Sequence, residues 1–289
     1  MKNLLRLQDL EISEVMEILD LADEISKGKI CPKLTGKIVA NLFFESSTRT
    51  QYSFITAQHR LDCKVIDFNT QGSSLNKGES FYDTIKTFES FGVDALVIRN
   101  SKNKWYEELL GKINTPLING GDGTLDHPTQ TLLDLMTIRQ EFKKLEGLKV
   151  LIVGDIVHSR VAHSNIENMK RLGMEVFVAG PDFFKDGNYN YVSFEEYLPK
   201  VDVVNMLRVQ NERLAVGLKY NKEKYNEEFG LSMERVKMMK DNAIIIHPAP
   251  FNRGVELNDD VVECEKARIF KQMTNGMFVR MAVLSKILG

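Results

Sequence analysis

Residues 44–50 read Phe44-Glu-Ser-Ser-Thr-Arg-Thr50 and directly follow the apolar run Lys37-Ile-Val-Ala-Asn-Leu-Phe43. Where a strand gives way to a helix, unpaired backbone N–H groups and the positive end of the helix dipole favour an anion. Side-chain hydroxyls add neutral donors, and Arg49 adds a planar fork that matches two phosphate oxygens. The chemistry this suggests is capture of a phosphate. The segment lacks the G-x-x-x-x-G-K-[ST] pattern and is not a standard nucleotide cradle. Read alone, Ser-Ser-Thr-Arg-Thr is also what a solvated helix cap looks like.

Its company decides between the two. Arg99 closes the apolar run Ala95-Leu-Val-Ile-Arg99. Residues 122–130, ending in His127-Pro-Thr-Gln130, follow Pro116-Leu-Ile-Asn119. Gly154-Asp-Ile-Val-His-Ser-Arg160 follows Val150-Leu-Ile-Val153. Arg208-Val-Gln210 follows Val203-Val-Asn-Met-Leu207, and His247-Pro-Ala-Pro250 follows Ala243-Ile-Ile-Ile246. Open α/β sheets bind their ligands beyond the carboxyl ends of the strands, and every unusual polar cluster of this chain lies at such an end. Four of the residues are arginines: Arg49, Arg99, Arg160 and Arg208. A lone arginine is ordinarily a surface ion pair of little consequence. Four at strand ends imply ligands with several negative charges. No His, Asp and Glu cluster has the spacing of a catalytic metal site, so side chains and backbone are expected to supply the electrostatics.

The elements that must position these residues are legible as alternating patterns. Candidate strands are residues 37–43, 64–68, 95–99 and 116–119, interleaved with helices near 50–61 and 81–91. A second series follows at 149–153, 175–179, 202–206 and 243–246. Short, nearly continuous apolar strands between helices indicate parallel sheets covered on both faces. The fold expected is α/β, with two doubly wound parallel-sheet domains and an active-site cleft between them. The first domain is assigned to residues 1–130, with a final helix over 276–289 packing back on it, and the second to 131–275. A helix opening at His127-Pro128, where proline costs nothing in the first turn, runs to about Phe142, and residues 143–147 are its end or a linker. The first helix carries Val15, Ile18, Leu19 and Ala22 at helical spacing, with Ser13 as its expected N-cap. In the last helix Met277, Met281, Leu284 and Ile287 share one side, as packing residues.

Composition narrows the class. The chain has 289 residues, 43% hydrophobic and 27% charged, with a formal net charge of −2. That is globular, and it argues against nucleic-acid and acidic-membrane binding. Cys31, Cys63 and Cys264 stand far apart without a C-x-x-C pair, which points to a reducing compartment. Acidic residues at 9, 11, 14 and 17 interrupt the apolar core that a secretion signal needs. No apolar stretch approaches membrane-spanning length, and a cytoplasmic location is expected.

Phe44-Glu-Ser-Ser-Thr-Arg-Thr50, His127-Pro-Thr-Gln130 and His247-Pro-Ala-Pro250, in this order, resemble the transcarbamylases. Val153-Gly-Asp-Ile-Val-His-Ser-Arg-Val161, Arg208-Val-Gln-Asn-Glu-Arg213 and Asn252-Arg-Gly-Val-Glu256 look like the aspartate carbamoyltransferase catalytic chains. The resemblance runs from about Leu10 to Leu288. It implies transfer of a carbamoyl group from carbamoyl phosphate to the amine of L-aspartate, a step of de novo pyrimidine synthesis, with no cofactor. By the same resemblance Ser47, Thr48, Arg49 and Thr50 hold the phosphate. Arg99 bridges phosphate and carbonyl oxygens, and His127, Thr50 and Arg99 polarise the carbonyl. Gln130 and the backbone carbonyls of Pro248 and Ala249, in the turn closed by Pro250, accept from the carbamoyl NH2. Arg160 and Arg208, assisted by Gln210, grip the aspartate carboxylates. The loop Gln71-Gly-Ser-Ser-Leu-Asn-Lys-Gly-Glu79 resembles one that reaches a neighbouring subunit, where Ser74 and Lys77 complete the site of a homotrimer. Whether regulatory chains or other pathway enzymes associate is left open.

His127, at a helix start whose dipole opposes protonation, is expected to work as a neutral donor. The Ala249–Pro250 bond is expected to be cis. Two alternatives carry different predictions. An ornithine carbamoyltransferase shares the phosphate motif but typically has His-Cys-Leu-Pro where this chain has His247-Pro-Ala-Pro250, and an acidic Ser-Met-Gly loop where this chain has Ser232-Met-Glu234. A non-catalytic dinucleotide module accounts for Val150-Leu-Ile-Val-Gly154, yet G-x-G-x-x-G does not follow.

Overall fold

The computed structural model describes residues 1–70, 73–210 and 221–289. Gln71 and Gly72 of the proposed intersubunit loop, and Asn211, Glu212 and Arg213 of the second arginine motif, lie outside the described residues. The strands are β1 (Ile38–Phe43), β2 (Lys64–Phe68), β3 (Ala95–Asn100), β4 (Leu117–Asp122), β5 (Lys149–Val153), β6 (Glu175–Ala179), β7 (Val203–Met206) and β8 (Ile244–Ile246). The α-helices are α1 (Ile12–Ser26), α2 (Thr48–Arg60), α3 (Phe81–Ser90), α4 (Pro128–Phe142), α5 (Arg160–Arg171), α6 (Phe194–Tyr197), α7 (Lys222–Phe229), α8 (Met233–Met238) and α9 (Ile269–Leu288). The chain divides into two compact units: Met1–Met136 with Met273–Gly289, and Thr137–Gln272.

Each unit holds one four-stranded, all-parallel sheet, in the orders β2-β1-β3-β4 and β6-β5-β7-β8. The two orders share one logic. The chain leaves its first strand toward one side, then returns to add the remaining strands on the other. The direction therefore reverses between β1 and β3 in the first sheet and between β5 and β7 in the second. Ligands of such sheets gather at this reversal, beyond the carboxyl ends. Phe43 is paired with Arg99 at one reversal, and Val153 with Met206 at the other.

Strand burial explains the near-continuous apolar runs. Val39, Ala40 and Leu42 of β1 and Ala95 to Ile98 of β3 are fully buried, as parallel strands covered on both faces must be. The interruption by Asn41 is satisfied locally. Asn41 Nδ2 donates to Gln58 Oε1 and Gln58 Nε2 donates to Asn41 Oδ1, both at 2.8 Å and fully buried. This reciprocal amide pair locks α2 onto β1. On one side of the sheet an apolar cluster joins Leu42, Ile85, Leu96, Ile98 and Trp105.

Two boundaries differ from the sequence reading. The first helix is capped at Glu11, not Ser13: the Glu11 N–H donates to the Glu14 carboxylate at 2.9 Å, half of a reciprocal capping box. The final helix begins at Ile269, a full two turns before Gly276. Gly276 lies inside it because of close packing, since a Cβ there would sit 2.6 Å from Arg280 Nη1 and 3.0 Å from Leu133. Of the four side chains expected on one side of this helix, Met281 and Leu284 are buried and Met277 and Ile287 half-buried. Among the described residues no helix is long and apolar enough to cross a membrane.

Candidate active site

In the first unit β1 runs out at Phe43, and the Phe44 N–H donates to Arg99 O at 2.9 Å. The chain then turns through Glu45 and Ser46 into α2, with Ser47 at the N-cap position and extended backbone. Ser47 makes no side-chain capping bond, Thr48 and Arg49 are exposed, and Thr50 is buried. The helix start thus presents its amide groups together with Arg49, as an anion site requires. Arg99, half-buried, pairs through Nε with Glu45 Oε2 at 3.1 Å. Its Nη1 donates to Gly120 O at 3.2 Å.

After β4 the chain makes a tight turn and delivers His127 just ahead of α4. His127 is 5% exposed, and its Nε2 lies 3.4 Å from Thr50 Oγ1. Two residues that are far apart in sequence therefore meet at the mouth of the helix that carries Arg49. Gln130 is buried in the first turn of α4, where its Nε2 donates to Asp134 Oδ1 at 2.9 Å. Ser74 and Lys77 bound a short 3-10 turn before α3, and Lys77 is exposed.

Sequence reading passed over two residues of this unit. Glu45 sits inside the quoted motif, but its partner Arg99 belongs to another strand, so nothing local announces the pair. An anion arriving at Arg99 must share it with this carboxylate. Arg280, on α9, is 3% exposed. Its guanidinium stacks over the Phe54 ring at 5.0 Å, and Nη2 donates to Thr129 Oγ1 at 3.3 Å. Burial, and then the charge of Arg99, lower its pKa to about 9. A buried cation with no carboxylate partner among the described residues, felt by Arg99, adds positive potential behind the phosphate-binding segment.

The second unit collects the remaining residues. Arg160 opens α5 and is 5% exposed. Ser159 caps that helix, accepting from Ala162 N at 3.2 Å. Asp155, fully buried after β5, accepts from His158 N at 3.2 Å and contacts His158 Nδ1 at 2.8 Å. Burial raises the Asp155 carboxyl, while His158 and the Gln210 backbone N–H oppose the rise. Gln210 Nε2 donates to His158 O at 3.2 Å. The segment carrying Arg208 and Gln210 is thereby tied to the loop carrying Arg160, across the second sheet's reversal point.

Beyond β8, His247 N donates to Gln272 Oε1 at 2.9 Å. His247 Nδ1 accepts from Ala249 N at 2.9 Å, which assigns the ring proton to Nε2. That nitrogen faces Glu256 Oε1 at 3.7 Å, with both side chains fully buried. Glu256 also accepts from Asn252 N at 2.5 Å. The Ala249–Pro250 bond is cis, as expected, and Ala249 holds φ +49°. Pro248 and Ala249 are half-buried and Pro250 exposed. Ser232-Met-Glu234 caps and opens α8, with Ser232 Oγ accepting from Arg235 N at 3.4 Å. Among the described residues no group of three or more His, Cys, Asp and Glu is arranged to hold a metal ion.

The family profile described as "Aspartate/ornithine carbamoyltransferase, carbamoyl-P binding domain" matches residues 2–140, and the profile for the "Asp/Orn binding domain" matches residues 146–287. The chain belongs to the aspartate/ornithine carbamoyltransferase family. It is similar to the aspartate carbamoyltransferase catalytic subunit of Staphylococcus carnosus (strain TM300), 50% identical over 291 residues that cover 100% of this chain and 96% of that protein. Two crystal structures of Trypanosoma cruzi aspartate transcarbamoylase resemble it over 100% of this chain and 96% of theirs. The complex with carbamoyl phosphate is 30% identical with a TM-score of 0.91. The complex with carbamoyl aspartate and phosphate is 31% identical with a TM-score of 0.89. In this carbamoyltransferase chain the first profile spans Ser47 to Gln130, and the second spans Arg160 to Pro250.

Proposed function

We propose that this chain transfers the carbamoyl group of carbamoyl phosphate to the amine of L-aspartate, giving N-carbamoyl-L-aspartate and phosphate in de novo pyrimidine biosynthesis. The observation that carries the reading is the meeting of Thr50 and His127 at 3.4 Å beside the β1–β3 reversal, where Arg99 is paired with Phe43. Phosphate is held by Ser47, Thr48, Arg49 and Thr50 at the start of α2. Arg99, Thr50 and His127 converge on the carbonyl oxygen, and Gln130 with the Pro248 and Ala249 carbonyls, in the turn closed by Pro250, orients the carbamoyl NH2. Arg160 and Arg208 each suit one carboxylate, which makes a dicarboxylate the fitting acceptor, with Gln210 assisting.

The amine nitrogen attacks the carbonyl carbon, the bond from that carbon to the phosphate oxygen breaks, and the proton lost by the amine passes to the departing phosphate. Holding the two reactants in line supplies up to ~7–11 kcal/mol of the barrier reduction. A donor aimed at the developing oxyanion is worth roughly 3–4 kcal/mol. Neutral His127 serves as such a donor. We assign residues 1–130 with 276–289 to the carbamoyl-phosphate half and 131–275 to the L-aspartate half. The functional assembly proposed is a cytoplasmic homotrimer in which Ser74 and Lys77 complete a neighbour's site.

The test is an assay of the purified chain with carbamoyl phosphate and either L-aspartate or L-ornithine. Turnover is expected with L-aspartate only. Arg49→Ala and His127→Ala are expected to abolish it while circular dichroism and the melting temperature stay near those of the parent. Activity that survives both substitutions would overturn the site assignment.

A further inference from the structure

The amino-terminal segment reaches the edge strand β4 before the first α-helix begins. Leu4 N donates to Leu117 O at 2.9 Å and Asn119 N donates to Leu4 O at 2.8 Å, so Leu4 forms a parallel bridge opposite Ile118. Asn3 Oδ1 accepts from Leu117 N at 2.9 Å, and Asn119 Nδ2 donates to Leu5 O at 2.8 Å. Leu4 and Leu7 are fully buried. This anchor delivers Arg6 and Gln8 to one carboxylate. Arg6 Nε lies 3.2 Å from Asp126 Oδ2, and Gln8 Nε2 donates to Asp126 Oδ1, also at 3.2 Å. Asp126 is 3% exposed and immediately precedes His127.

The rest of the 122–126 turn is pinned independently. Asp126 N donates to Asp122 Oδ1 at 2.6 Å, Asp122 N donates to Asp126 O at 3.0 Å, and Lys104 N donates to Asp122 Oδ2 at 3.0 Å. Gly123, at φ +30°, lets Asn103 pack where a Cβ would lie 1.6 Å from Asn103 Oδ1. What remains is the side chain of Asp126, and a carboxylate in so dry a place needs a cation and hydrogen-bond donors to hold one position. Arg6 and Gln8 provide them. Burial raises the Asp126 carboxyl, and Arg6 and Gln8 oppose the rise.

We infer that Arg6, with Gln8, is a positioning pair for His127: the amino-terminal segment straps the edge of the first sheet and holds Asp126, fixing the backbone from which the imidazole reaches Thr50. The inference rests on the role given to His127 above. A displacement of about 1 Å in a reacting group costs on the order of 100-fold in rate, so slack in this strap appears in kcat. L-Aspartate is assigned to Arg160, Arg208 and Gln210 of the other unit, with Lys77 from a neighbouring subunit, so its KM is the parameter the strap leaves alone.

The experiment compares Arg6→Ala, Arg6→Lys, Asn3→Ala and His127→Ala in the full chain, measuring kcat, the KM for L-aspartate and Tm. Arg6→Ala is expected to lower kcat by at least about ten-fold with KM for L-aspartate within about two-fold. Arg6→Lys restores a large part of the rate, because it returns the charge. Asn3→Ala removes one bond to Leu117 but leaves the Leu4 bridge and the Arg6 and Gln8 contacts to Asp126 in place, and is expected to lower Tm while sparing kcat. A kcat for Arg6→Ala within about two-fold of the parent overturns the inference, as does an equal loss in Asn3→Ala at matched Tm. If His127→Ala itself keeps full activity, the role of His127 falls, and the strap with it. A normal loss in His127→Ala beside an unaffected Arg6→Ala removes the strap alone.

Discussion

Replacing Arg280 by methionine separates stability from anion affinity in this carbamoyltransferase. The guanidinium is 3% exposed, and its partners among the described residues are a ring and a hydroxyl, neither carrying a compensating charge. Its Nε is buried with no hydrogen-bond partner among the described residues. A pKa lowered to about 9 corresponds to a penalty on the order of 5 kcal/mol on the buried cation. The cation–π contact returns about 2 kcal/mol and the charged hydrogen bond about 2 more. These terms offset much of the cost of burying the charge, so Arg280→Met is expected to melt near the parent temperature. Anion binding moves the other way. At an effective dielectric near 20 and a separation on the order of 10 Å, the lost attraction is about 1.7 kcal/mol per phosphate charge, a factor of more than ten in Kd. The assay is a titration of inorganic phosphate against Tm, with isothermal calorimetry for Kd. A variant that loses more than about 3 kcal/mol of stability yet binds phosphate as the parent does would refute the reasoning and make Arg280 a scaffold residue.

Further expectations follow from other pairs. Asn41→Ala strands a buried Gln58 and should cost about 2–3 kcal/mol in urea unfolding, whereas Asn41→Leu combined with Gln58→Met should recover most of that loss. Glu141 is pulled two ways: burial raises its pKa, but Arg268 and Lys271 prevail and hold it at about 2. A lowered carboxyl contributes stability above its unfolded pKa and loses it as the pH falls. Parent and Glu141→Gln melting curves should therefore differ by about 1 kcal/mol at pH 7, after allowing for solvent screening, and converge between pH ~4.5 and 2. Ala249 holds φ +49°, a backbone that favours glycine. Ala249→Gly should relieve roughly 1 kcal/mol of strain but loosen the turn after β8, raising the KM for carbamoyl phosphate in steady-state assays.

Most of the framework was legible because parallel strands are buried on both faces and so read as uninterrupted apolar runs. The bounds of β2, β5 and β6 agree to the residue with their sequence patterns. The termini of helices were harder. Ser13 has the chemistry of a cap, but the reciprocal Glu11–Glu14 bonds won the position two residues earlier. The sequence pattern starts the last helix at Gly276, whereas the helix begins at Ile269 and packing of Gly276 beneath Arg280 carries it straight through. The candidate site divides similarly. Placing Arg49, Arg99, Arg160 and Arg208 at strand ends required only the apolar pattern. The strand order that sets those four ends around two reversal points could not be read from any local window. Nor could Glu45 on Arg99, Arg6 on Asp126 or Arg280 on Phe54, because each joins segments whose separation along the chain carries no periodic signal.

The first compact unit is discontinuous, built from Met1–Met136 and closed by Met273–Gly289. During translation at about 5–20 residues per second, the second unit emerges in full while the first still waits roughly 10–30 s for its last helix. The second unit can complete its fold before the first does. The first, bearing the phosphate-binding helix, becomes whole only once Met273–Gly289 has emerged, so loss of that late segment should harm the earliest-made part of the polypeptide.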